Sequence, residues 1–209
     1  MAFRTLKPGT LLAPVPAVLL TSGTERDGMV CRNVMTAAWA GTVCTRPPMV
    51  SVSVRPERYS YGLIRESGEF VVCLTTRALL TATDLCGVIS GRDGDKWQRA
   101  GLTPVPAEGM RYAPAVGESP VYLACRLEQS IPLGSHTMLI GRTVSMGVEE
   151  GLMDAKGALH LERADLIAYS HGVYTGLTEA LGFFGFSVAS EEAKKRRGMR
   201  SPQDADRRK

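Results

Sequence analysis

Residues 47–54 (PPMVSVSV) lead into Arg55-Pro56 and deliver Arg58 and Ser60. Arginine offers a planar fork of donors that suits phosphate, and a serine hydroxyl beside free backbone N–H groups completes an anion nest. Upstream, RNVMTAAW places Asn33 and Thr36 before Trp39, which supplies an amide, a hydroxyl and an aromatic plane. Downstream, Lys96 in GRDGDKW can bring in one more cation. The chemistry suggested is anion binding beside an aromatic surface. Each residue also has a plainer reading: Arg55 and Arg58 as surface charges, Ser51 and Ser53 as the solvent face of a half-exposed strand, Trp39 as core, His136 as a turn histidine.

Other chemistries find little support. No G-x-G-x-x-G follows a strand and opens a helix, and no Walker A, H-E-x-x-H or G-x-S-x-G is present. The three histidines, His136, His160 and His171, are separated by other elements, so no metal centre is expected. The five cysteines (31, 44, 73, 86, 125) are odd in number and never at C-x-x-C spacing. Free, buried thiols in a reducing cytoplasm are expected.

These residues need strands and short helices to hold them. Val15 to Ser22 reads as a buried strand, followed by a turn over 25–28. Cys31 to Cys44 mixes polar and small residues. Met49 to Val54 alternates strictly: Met49, Ser51 and Ser53 on one face, Val50, Val52 and Val54 on the other. Tyr59 to Ser67 has helical spacing and stops at Gly68; Phe70 to Thr75 is another strand. Short helices over 79–85 and 95–100 flank a glycine- and charge-rich loop. Two long strands, 121–131 and 138–148, meet at the turn PLGSH, a tight turn falls at 154–157, and 166–175 reads as a last strand. Many strands, few short helices and no β-α alternation predict a mainly β fold, a β-barrel decorated by helices (α+β).

In this 209-residue chain the net charge of +4 is uneven. Residues 190–209 hold eight Lys and Arg against four Asp and Glu, leaving the body near neutral. The expected division is therefore a folded domain over 1–189 and a basic tail, flexible or helical, over 190–209. Near the start, LLAPVPAVLL is only ten residues long and broken by proline, too short to span a bilayer. It reads as an entry strand, and no membrane association is expected.

The runs NVMTAAWAGTVCTRPPMVSVSVRPERYSYGLIRESGEFVVCLTT, ATDLCGVISGRDGDKW, GSHTMLIGRTV and LIAYSHGVY fall in one order that resembles the flavin reductase-like family, in its flavoredoxin-type branch. The similarity spans about Leu6 to Ser190. It implies an FMN-binding split β-barrel, working as a homodimer with flavin held non-covalently near the subunit interface. It implies that Asn33, Val34, Met35 and Thr36 line the flavin, with main-chain groups at the ring edge, and that Trp39 abuts it. Ser51, Ser53 and Val54 match the strand beside the flavin. Arg58 and Ser60 match the phosphate end, and Lys96 a further cationic contact. His136 matches a histidine beside the flavin and is the candidate catalytic residue. Tyr169 matches an aromatic position where relatives often carry phenylalanine. The activity implied is hydride transfer from NADH or NADPH, a transient donor, to FMN, with electrons passing to free flavin, an oxygenase or an iron centre. Two other classes stand beside it: an electron carrier with tightly bound FMN and little NAD(P)H oxidation, and a binding module using the basic tail. The near-neutral body argues against nucleic acid as a partner.

Overall fold

The structure is a computed structural model that describes residues 2–178 and 180–196. The chain divides after Leu177 into two units. In the first, the strands are β1 Val15–Pro16, β2 Val18–Arg26, β3 Met29–Ala37, β4 Ala40–Thr45, β5 Pro48–Val54, β6 Glu69–Leu74, β7 Pro104–Val105, β8 Ala115–Val116, β9 Val121–Pro132, β10 Thr137–Val148, β11 Ile167–Ser170 and β12 Val173–Gly176. Helices α1 Tyr59–Ser67, α2 Leu80–Val88 and α3 Lys96–Ala100 accompany them. The short helix α4, Glu191–Arg196, belongs to the second unit, and residues 197–209 of the basic tail lie outside the described residues.

Seven strands form one sheet in the order β3-β2-β6-β9-β10-β5-β4. The sheet rolls, because Val18, Leu20, Met35 and Ala37 of one half pack with Val50, Val52, Val54 and Leu139 of the other around Phe70. Among the described residues no ladder joins the edge strands β3 and β4, so the barrel is split rather than closed. The alternation in β5 holds: Val50, Val52 and Val54 are buried, while Met49, Ser51 and Ser53 are half-buried. Strand β2 is buried on both faces. Val18 and Leu20 point into the roll, and Leu19 points into a second core with Val34, Val71, Cys86 and Trp97 beneath α2 and α3.

Local chemistry sets the helices. In α1, Ser60, Leu63 and Ile64 give one buried face, and Gly68 ends the helix at φ +70°, a left-handed cap that glycine accepts readily. Asp95 starts α3 by accepting from the N–H groups of Trp97 (2.9 Å) and Gln98 (3.3 Å).

The stretch 31–44, given no element from the sequence, lies within β3, a bend at Ala38-Trp39, and β4, and two expectations need correction. The expected last strand is a hairpin, β11 and β12, turning at His171 (φ +47°) and Gly172 (φ +93°). The entry segment is strand only from Val15 onwards; Leu11 and Leu12 before it are exposed. No helix among the described residues is long and apolar enough to cross a membrane.

Candidate functional site

The helices and the split edge of the sheet enclose three cavities that share walls. The innermost, about 270 Å³, is polar and lies at the start of α1, lined by Asn33, Arg58, Ser60, Gly91, Arg92 and Lys96 among others. Arg55, Arg58 and Met35 connect it to a middle cavity of about 290 Å³ that reaches Thr36, Trp39, Ser53, Val54, His136 and Tyr169. Trp39, Ser53 and Tyr169 in turn border a larger chamber of about 690 Å³, walled by Leu11, Leu12, Val43 and Ser51.

The inner cavity has the chemistry of an anion site. Strand β3 aims Asn33 at α1, where its Nδ2 donates to Ser60 Oγ at 2.8 Å. Arg58, the N-cap residue of α1, gives no side-chain cap, and no acid lies in the first turn. The positive end of the helix is thus left to the cavity. Lys96 is buried, 3% exposed, and its Nζ donates to the Cys86 carbonyl at 2.7 Å. Burial pushes its pKa down to about 8; the Cys86 thiol partly opposes this and the Arg58 guanidinium adds to it. Arg58 Nη1 donates to the Gly87 carbonyl at 3.5 Å. Both cations therefore face the carbonyl end of α2, a partial negative charge and not a full one.

The middle cavity is aromatic and hydrogen-bonding. Trp39, 51% exposed, stacks on His136 with centroids 6.1 Å apart and planes 25° apart, so it is not a core residue. The Trp39 carbonyl accepts from Ser53 N–H at 2.9 Å, which ties the β3–β4 bend to β5. His136 Nδ1 lies 2.9 Å from Ser135 Oγ. Tyr169 on β11 meets Tyr174 on β12 edge to face at 5.4 Å. Tyr174 faces Asp84, and burial first, then that carboxylate, pushes its phenol up. Thr36 donates to the Thr83 carbonyl, and a Cβ on Gly87 would sit 3.4 Å from the Thr36 Cβ.

Twelve of the thirteen residues singled out from the sequence therefore border these cavities. The exception is Val34, whose side chain is fully buried in the core beneath α2. In a strand, neighbours of Asn33 and Met35 point to the opposite face. Only the main chain of Val34 is available to a ligand. Ser51 reaches the large chamber alone. Sequence reading missed Asp84, Gly87 and Tyr174 in the middle cavity and Tyr59 and Arg92 in the inner one. All five stand in the quoted runs, Tyr59 in the first, Asp84, Gly87 and Arg92 in ATDLCGVISGRDGDKW and Tyr174 in LIAYSHGVY, so the signal was present without a role.

Comparison with known proteins agrees with this architecture. The profile of the flavin reductase like domain matches residues 11–177. Flavoredoxin of Desulfovibrio vulgaris (Miyazaki F) superposes with a TM-score of 0.79 at 33% identity, covering 87% of this chain and 97% of that one. Nitrilotriacetate monooxygenase component B from Bacillus cereus gives 0.76 at 27% identity, covering 88% and 100%. The reductase component of the FADH(2)-dependent resorcinol hydroxylase of Rhizobium sp. (strain MTP-10005) is 26% identical over 144 residues, 66% of this chain and 73% of that protein. With the domain profile covering most of the chain and the split barrel in place, this protein belongs to the flavin reductase like domain family.

Proposed function

We propose that this chain is a flavoprotein of the flavin reductase type, holding FMN non-covalently. The 5′-phosphate would lie against Arg58, Ser60 and Lys96, and the ring toward Trp39, Ser53, His136 and Tyr169. The observation that carries the reading is Lys96, a buried ammonium beside a second cation with a neutral carbonyl as its hydrogen-bond partner. Such a charge is unfavourable until an anion joins it. The uncapped N-terminus of α1 opens on the same cavity and adds backbone N–H donors.

When bound, FMN supplies hydride acceptance from NADH or NADPH and electron release to an acceptor. The chain's own residues bind and orient. The Asn33–Ser60 hydrogen bond fixes both polar side chains at the phosphate end. Trp39 and His136, stacked on one another, present ring surface to one side of the middle cavity, where a flavin ring would lie. Ser135 occupies Nδ1 of His136, which leaves Nε2 for a ligand. No general base is required for hydride arrival, so His136 serves to orient. The same reading has two copies of the chain associate: β4 is an edge strand with Gly41, Thr42 and Val43 exposed beside the exposed Trp39, a surface that a second copy would cover.

The test is an anaerobic titration of the FMN-loaded protein with NADH and, separately, NADPH. Loss of the visible flavin band with either donor supports reductase chemistry. Flavin that stays bound and coloured with both supports the electron-carrier reading, which the similarity to flavoredoxin favours.

A further inference from the structure

We infer that Arg92 is a latch over the phosphate end of this site, selecting phosphorylated flavin over riboflavin and slowing its release. The inference rests on the FMN reading above. Four cations, Arg55, Arg58, Arg92 and Lys96, line the inner cavity against one carboxylate, Glu57. That carboxylate is engaged by Arg55 at 3.4 Å. Lys96 lies buried in the wall and Arg58 is half-buried, while Arg92 is exposed at the rim. A phosphate between them would be enclosed from both ends.

The position of Arg92 is built, not incidental. Its Nη1 donates to the Glu57 carbonyl at 3.0 Å, and its guanidinium sits 5.5 Å from the centre of the Tyr59 ring. Tyr59 also carries Arg26 at 5.8 Å, itself held by a two-point contact to Glu66 at 2.9 and 2.6 Å. The loop before Arg92 packs so closely that a Cβ on Gly91 would fall 2.3 Å from Asn33 Oδ1 and 2.7 Å from Tyr59 Cδ1. Ser90 Oγ accepts from the Arg92 N–H at 3.1 Å and fixes the turn. The present partners of Arg92, a neutral carbonyl and an aromatic face, are weaker than a phosphate dianion. An exposed arginine can exchange them when phosphate arrives.

The experiment compares FMN and riboflavin affinity, and FMN release by stopped-flow fluorescence, in wild type, Arg92→Ala and Arg92→Lys. The expected result is FMN affinity about tenfold or more weaker in Arg92→Ala, most of it in a faster release rate. Riboflavin affinity stays within about twofold, and Arg92→Lys falls between, because it keeps charge and loses the fork. Wild type preferring FMN while Arg92→Ala keeps that preference overturns the latch alone. Equal weakening of both flavins in Arg92→Ala overturns it too, by reducing Arg92 to a support for the loop. A wild type that binds FMN and riboflavin equally overturns the phosphate reading and the latch together.

Discussion

Replacing Lys96 with methionine keeps an unbranched side chain, one atom shorter, and removes its charge. Burial holds the Lys96 amine at about 8 in the folded protein against 10.5 ordinarily, a difference worth about 3 kcal/mol of unfavourable charge burial. The folded value is the lower one, so the unfolded chain binds the extra proton between the two. The penalty is fully present below about pH 8, shrinks as pH rises, and is gone above 10.5. From about pH 7 to about pH 9.5 the wild type should therefore gain about 2 kcal/mol relative to Lys96→Met, or about 4–8 °C in Tm for a domain of this size. Bound phosphate reverses the logic, because it favours the ammonium. FMN affinity of the wild type should stay level up to about pH 8 and then fall toward tenfold per pH unit, while that of Lys96→Met is weak and flat. Thermal melts and flavin-fluorescence titrations across that range make the comparison. Parallel stability curves for the two proteins, with equal FMN affinity, would refute the claim that Lys96 is a buried cation awaiting an anion.

Glu69 is 2% exposed and accepts from the N–H groups of Arg111 and Tyr112 while pairing with Arg126 at 3.1 Å. Glu69→Ala would orphan those N–H groups, release the 109–113 loop and destabilise by about 1–3 kcal/mol, read by chemical denaturation; a loss within about 0.5 kcal/mol would contradict that role. Gly141→Ala would put a Cβ 2.3 Å from Phe70 Cζ in the rolled core, lowering stability by about 1–3 kcal/mol; an unchanged Tm would show that Phe70 can move aside freely. His136→Ala removes the partner of Trp39 and should lower turnover or flavin affinity, and unchanged steady-state rates and binding would remove His136 from the site.

The sequence was most readable where one periodicity acted alone. Strand β5 alternates because only its valines face the roll, and α1 ends at Gly68 because the residue after its last turn needs positive φ. It was least readable where burial hid polarity. Stretch 31–44 showed only a mix of polar and small residues because Asn33 and Thr36 are held within β3, the first by Ser60 and the second by Thr83, partners far away in the chain. The hairpin at His171 and Gly172 escaped, although glycine marks turns, because the strands on either side are only four residues long and read as one run. At the site, residue types pointed to Arg58, Ser60 and Lys96. They did not reveal that Lys96 is buried, or that Tyr59 presents Arg92 to the cavity, because both depend on the loop 89–95 folding onto β3 and α1.

The central claim is that the inner cavity holds the phosphate of FMN. The most direct measurement is an equilibrium titration of the purified wild-type protein with FMN and with riboflavin, followed by flavin absorbance and fluorescence. Saturable FMN binding, at least tenfold tighter than riboflavin and competed by inorganic phosphate, is the predicted result. Absence of FMN binding, or equal affinity for the two flavins, would contradict it.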